Sequence, residues 1–144
     1  MNLSEAISIA KSKNYREMEL IYDGIIEGNN NPRSYVYKIG NFCIKYYIKS
    51  KEIDFEKETS NLNKLKEYKF APELYYSDEN DYFIIMEYIY GVPLKNIDDL
   101  NENQKEQLKK IKCTLDKLGI FYEKEHEHCL AESNGNLRFI DFGL

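Results

Sequence analysis

Three polar residues carry the chemical reading: Lys45 in "NFCIKYY", Glu58 in "FEKETS" and Asp141 in "LRFIDFG". Lys45 lies between Ile44 and Tyr46 on an apolar run. A lysine there is either a solvent-facing edge residue or an ammonium aimed at phosphate oxygens. A carboxylate at Glu58, on the segment that follows, is placed to hold that ammonium while phosphate binds. Asp141 closes an apolar strand at a turn, where aspartate is often only a turn former. With a second ligand from the neighbouring hairpin strand, the same position lets Mg²⁺ bridge two phosphates. Between them, "FIIMEYIYG" runs from an apolar strand into a Gly/Pro connector. It reads either as a central strand or as a hinge whose backbone, at Glu87 and Ile89, meets the edge of an adenine.

One further run holds chemistry-bearing side chains. In "EKEHEHC" the residues Glu123, Glu125, Glu127, His126, His128 and Cys129 alternate, and alternate residues share one face of an extended strand. A metal site is conceivable on those types alone. No Cys-x-x-Cys or His-x-x-x-His spacing supports it, and a solvated acidic loop is the preferred reading.

The elements that must position these residues are legible from periodicity and punctuation. Ser4 and Glu5 ahead of Ala6, Ile7, Ile9 and Ala10 predict a short capped helix over 3–14. "MELIYDGIIEG", "SYVYKIG" and "NFCIKYYIK" read as strands, the last two joined tightly at Gly40-Asn41. "SKEIDFEKETSNLNKLKEYKF" places Phe55, Leu62 and Leu65 at helical spacing, with Ala71-Pro72 as its breaker. "ELYYSDENDYFIIMEYI" predicts a hairpin around Asp78 to Asp81. "NENQKEQLKKIKCTLDKLG" predicts a long helix with Leu108, Ile111, Leu115 and Leu118 on one face and Gly119 at its end. A final hairpin turns at Asn134-Gly135 into "LRFID". Strands, a single helix, more antiparallel hairpins and a second helix make an α+β layout rather than a repeating βαβ one.

Composition bounds the function. At 144 residues the chain forms one domain or two small lobes, and 42% hydrophobic residues with no low-complexity run predict a folded protein. A net charge of −5 with both signs interspersed argues against a dedicated nucleic-acid or membrane-surface protein. The apolar runs are too short to span a bilayer, and the N-terminus lacks a signal-peptide core. Cys43, Cys113 and Cys129, without paired spacing, predict reduced packing thiols in a cytoplasmic protein.

In sequence order, the strand lysine, the helix glutamate, the "MEY" strand with its glycine connector, a helix ending in "LGI" and a hairpin into "IDFG" reproduce the protein-kinase signature set. Over roughly residues 21–144 the chain resembles the protein-kinase-like superfamily, most closely its small RIO-type members and the archaeal-type kinases of the tRNA-modifying complex. "KETSNLNKLKEYKFAPELYY", "FIIMEYIYGVPL" and "NGNLRFIDFGL" carry the likeness. It implies a five-stranded antiparallel N-lobe sheet with one helix over 1–88, a hinge and connector over 89–100, and over 101–144 a minimal C-lobe of one long helix and a β-hairpin. It also implies ATP with Mg²⁺ or Mn²⁺. Lys45 would sit on the α/β-phosphates with Glu58 as partner, and Met86 would be the gatekeeper with Glu87 to Ile89 as hinge. Val36, Cys43, Leu130 and Ile140 would be the apolar walls of the adenine pocket, and Asp141 the magnesium ligand.

The pattern departs from the family in three places. The phosphate-covering loop "EGNNNPRSYVY" has only Gly28, where several glycines normally let backbone amides approach phosphate. The catalytic loop aligns on "FYEKEHEH", which puts Phe121 and Glu123 at the His-x-Asp positions and His128 at the second metal ligand. Glutamate can accept a hydroxyl proton, but its extra methylene displaces the carboxylate by more than about an ångström, and misplacement on that scale can cost about a hundredfold in rate. Imidazole suits Mn²⁺ or Zn²⁺ better than Mg²⁺. The chain also stops after the Asp-Phe-Gly motif, which leaves apolar surface for a protein partner or a second copy to cover. The expectation is a pseudokinase-like ATP-binding protein in which phosphoryl transfer is weak or lost. The alternatives are an active minimal serine/threonine-type kinase using Glu123 as base, and a non-enzymatic regulator or decoy.

Overall fold

The computed structural model describes residues 1–22, 32–94, 97–122 and 129–142. Strands β1 (Glu19–Tyr22), β2 (Ser34–Ile39), β3 (Phe42–Tyr47), β4 (Leu74–Asp78) and β5 (Phe83–Glu87) form one antiparallel sheet in the order β1-β2-β3-β5-β4. β2 and β3 are joined at Gly40, whose φ of 57° is the left-handed backbone a two-residue turn requires. Strand period two sorts the residues to two faces. Ile44, Tyr46, Phe83 and Ile85 point to one face, Cys43, Tyr47, Ile84 and Met86 to the other, and each set joins its own buried cluster.

The first face is covered by helix α1 (Leu3–Ser12), which buries Ala6 and Ala10 completely. The two small residues let the helix approach closely enough for the Tyr46 hydroxyl to donate to Ala10 O at 2.8 Å. The cap is Asn2, two residues before the expected Ser4; its side chain accepts from the Glu5 N–H at 2.8 Å. The helix ends at Ser12, with Lys13 in left-handed conformation, rather than at Asn14.

The second face packs on helix α2 (Lys51–Lys64) and on the remainder of the chain. α2 ends six residues before the expected Phe70 boundary, because the chain tightens at Leu65, whose N–H bonds to both Asn61 O and Leu62 O. Pro72 therefore follows the helix without breaking it. Phe55, Leu62 and Leu65 are buried, as their spacing predicts.

The third helix, α3 (Glu102–Lys117), opens with a capping box between Asn101 and Gln104 and closes toward Gly119 at φ 70°. It buries Leu108, Ile111 and Leu115, with Leu118 packed at the margin of the same cluster. A second sheet takes the order β6-β7-β8, with β6 at Val92–Pro93, β7 at Cys129–Ala131 and β8 at Leu137–Phe139. The expected hairpin is β7-β8; the connector adds β6, which pairs Val92 with Ala131 and Pro93 with Leu130. The pairing depends on Gly91, where a Cβ would meet Ala131 O and Leu130 Cβ at 3.0 Å. Cys43 and Cys129 are buried free thiols, whereas Cys113, expected to pack, is exposed on α3. Among the described residues no helix is long and apolar enough to cross a membrane.

Candidate functional site

Helix α2 is built to present polar groups inward. Asp54, Glu58 and Asn61 recur at intervals of four and three, on the same face as Phe55 and Leu62, and all five are buried. A buried polar side chain is costly unless partnered, so each of the three is tied to another element. Asp54 takes a two-pronged contact from Arg33, Nε to Oδ2 at 2.9 Å and Nη2 to Oδ1 at 2.5 Å, which fixes the first turn against the start of β2. Glu58 Oε1 receives the Lys45 ammonium at 2.7 Å and the Tyr47 hydroxyl at 2.5 Å. Asn61 Nδ2 donates to the Phe142 carbonyl at 2.7 Å.

Lys45 is 7% exposed and Glu58 1%. The ammonium also reaches Asp141 Oδ1 at 3.3 Å, which joins β3, α2 and the residues after β8 at one point. Burial pulls the Lys45 pKa down, but the two carboxylates reverse that and leave it above the ordinary lysine value, so the cation persists. Burial, followed by the Glu58 charge, raises the Tyr47 hydroxyl and keeps it a donor. Glu58 Oε2 is buried with no hydrogen-bond partner, so the position of the carboxylate rests on Oε1.

Asp141 stands in the left-handed region at φ 63°, a conformation that aspartate tolerates better than most residues but that the surroundings must enforce. The enforcement is visible on three successive residues. The Tyr122 hydroxyl donates to Ile140 O, Lys45 holds the Asp141 carboxylate and Asn61 holds Phe142 O. Phe142 is itself 2% exposed and packs its ring on Tyr122.

The residues expected on the adenine side fall at the following places. Val36 pairs directly opposite Lys45, and Cys43, two residues before Lys45, shares its face. Met86 pairs with Cys43 and is 6% exposed. Leu130 abuts Gly91 and is partly buried, as is Ile140, yet neither belongs to a core cluster. At the hinge, the Glu87 N–H donates to Glu73 O at 2.8 Å and the Tyr88 N–H to Asn41 O at 3.0 Å; the Ile89 N–H has no acceptor among the described residues. The Glu87 side chain turns away to Arg138 on β8, at 2.6 Å, so its carboxylate anchors the strand.

Glu123 and His128 lie outside the described residues, as do Gly28 and the rest of residues 27–31 of the phosphate-covering loop. Of the "EKEHEHC" run only Cys129 is described, and it is buried; among the described residues no group of three metal-ligating side chains assembles. A cavity of about 610 Å³ lies behind the hinge, walled by Tyr68, Phe70, Gln107 and Arg138 among others, and includes none of Lys45, Glu58 or Asp141. Convergent charge, not cavity volume, marks the site. The sequence reading missed Tyr47, Asn61 and Tyr122. Tyr47 is two strand residues from Lys45 and Asn61 three helical residues from Glu58, so both were within reach of the periodicities already in use; nothing local marked Tyr122.

No protein-family model matches the sequence, and no curated protein is significantly similar to it. Solved structures do resemble it. WbdD, in a co-crystal structure with the kinase inhibitor LY294002, is 16% identical with a TM-score of 0.60, over 79% of this chain and 31% of that one. The Rio2 kinase from Chaetomium thermophilum, in an ADP/Mg²⁺–phosphoaspartate complex, is 12% identical with a TM-score of 0.58, over 96% and 51%. The Cydia pomonella granulovirus kinase PK-1 is 20% identical with a TM-score of 0.55, over 98% and 58%. The chain thus spans 31 to 58% of the length of these structures. With the order of strands, the α2 contact to β3 and the arrangement of Lys45, Glu58 and Asp141, they establish that this chain has the protein-kinase-like fold.

Proposed function

We propose that the chain binds ATP together with Mg²⁺ or Mn²⁺ in the cleft between its two sheets, and that phosphoryl transfer by it is weak or lost. The observation that carries the reading is the meeting of Lys45, Glu58 and Asp141 across 96 residues of sequence. One buried ammonium between two carboxylates leaves a net charge of about −1, which suits a divalent cation carrying phosphates. Asp141, 33% exposed at its side chain, would offer the metal an oxygen, and Lys45 would meet the phosphates while Glu58 and Tyr47 hold it in place. The Ile89 N–H, without an acceptor among the described residues, would meet an adenine edge, with Val36, Cys43, Met86 and Leu130 as apolar walls. Bound metal would neutralise phosphate charge and orient the terminal phosphoryl group.

Weak transfer is argued from the sequence of the catalytic loop. Glu123 stands where an aspartate base would, and His128 where an oxygen or amide ligand would. The Rio2 structure contains ADP and Mg²⁺, which is consistent with this choice of ligand. The test pairs two measurements on one preparation. MgATP at a hundred times its dissociation constant should stabilise the protein by about 2.7 kcal/mol, a rise of roughly 5–10 °C in melting temperature. Incubation with γ-labelled ATP should leave little label on the protein or an added hydroxyl acceptor. No thermal shift with either metal refutes the binding, and strong labelling abolished by Glu123→Gln refutes the loss of transfer.

A further inference from the structure

The grip on residues 140–142 has a member that the ATP reading does not require. We propose that Asn61 is a positioning residue for the metal-bound form of the nucleotide: its amide holds the Phe142 carbonyl and thereby fixes the Asp141 carboxylate. This role rests on the functional reading above.

Asn61 is 9% exposed on a helix face that it shares with Phe55, Leu62, Asp54 and Glu58, and a leucine there would pack without needing a partner. The amide is instead used to reach a backbone oxygen 81 residues away, at 2.7 Å. A carbonyl can only accept, so the contact requires an N–H from residue 61. The residue it holds adjoins Asp141, whose backbone sits at φ 63° and has a more relaxed alternative. If Phe142 O is released, that turn loses a hydrogen bond on the side beyond Asp141, where the Phe142 ring stays packed on Tyr122. Lys45 shares the Asp141 carboxylate but keeps its shorter contact to Glu58 and the strand pairing of β3, and residues 87–88 keep their own backbone bonds. Asn61 therefore acts on the metal ligand and not on the groups that meet metal-free ATP.

The two contributions separate in a binding experiment. Calorimetric titration of ATP in excess EDTA and in excess Mg²⁺ gives two dissociation constants, whose ratio is the gain due to metal. For Asn61→Leu, which keeps the volume and removes the donor, the constant in EDTA should stay within about twofold of wild type. The metal-dependent gain should fall by about fivefold to tenfold, the worth of one buried hydrogen bond. Asn61→Ala, which removes the donor and adds no charge, should show the same split and stands in should the leucine variant fold poorly. Equal losses in EDTA and in Mg²⁺ would mean a merely structural side chain and overturn the role. A metal-dependent gain unchanged in both variants overturns it as well, while leaving the ATP site standing. Absence of ATP binding by wild type in either condition overturns the functional reading, and this role with it.

Discussion

Replacing Lys45 by methionine tests the site through stability, with no ligand added. The structure fixes the magnitude. Lys45 and Glu58 are 7% and 1% exposed and meet at 2.7 Å, so methionine leaves a carboxylate in the interior with only the Tyr47 hydroxyl on it. Removing one partner of a buried pair costs about 3–5 kcal/mol, because the stranded charge keeps its desolvation penalty. For a chain of 144 residues that is a fall on the order of 10 °C in melting temperature. The double variant Lys45→Met with Glu58→Gln removes both charges and keeps an acceptor for Tyr47. Asp141, 33% exposed at its side chain, is hydrated when Lys45 leaves. The double variant should recover about 2–3 kcal/mol of the loss, a coupling at the upper end of those measured between contacting residues. The assay is urea unfolding followed by far-ultraviolet circular dichroism, with the cycle completed by Glu58→Gln. A loss under about 1 kcal/mol for Lys45→Met, or a double variant no more stable than it, refutes the buried-pair reasoning.

Two further outcomes follow from packing. Burial lifts the Cys43 and Cys129 thiols to about 12, so at pH 8 their thiolate is about a thousandfold scarcer than for an ordinary cysteine. A thiol reagent should titrate Cys113 alone in the native protein and all three after denaturation; three rapid native equivalents would contradict the packing. Gly91→Ala drives a methyl group against the Ala131 carbonyl and the Leu130 side chain, which should cost about 1–3 kcal/mol by thermal or chemical unfolding. An unchanged midpoint would mean that β6 does not pair as described.

The readable parts of the sequence were those governed by short periods. β-rich composition marked β2, β3 and β5 as strands, and helical spacing set Phe55, Leu62 and Leu65 on one face, all three of which are buried. The meeting of Lys45 and Asp141 was implied only by family resemblance, since no local pattern relates residues so far apart. Arg33 appeared as a departure from a glycine-rich loop; the structure gives it a partner in Asp54, invisible from either residue alone. β6 was absorbed into a connector because it is two residues long and contains proline, which reads as a turn until β7 offers an edge to pair with. α1 was legible as a helix, but which sheet face its alanines cover was not. In the ladder from Asp54 to Glu58 to Asn61 only Glu58 was read as inward; Asp54 and Asn61 are buried as well because each has a partner supplied by distant chain.

The central claim is that Lys45, Glu58, the hinge and Asp141 form one nucleotide site. Isothermal titration of MgATP, and separately MnATP, into the wild-type protein and into Lys45→Met, at a temperature where circular dichroism shows both folded, addresses it directly. The account predicts saturable binding of one nucleotide per chain by wild type and its loss in the variant. No binding by wild type with either metal, or equal affinity in the two proteins, would contradict it.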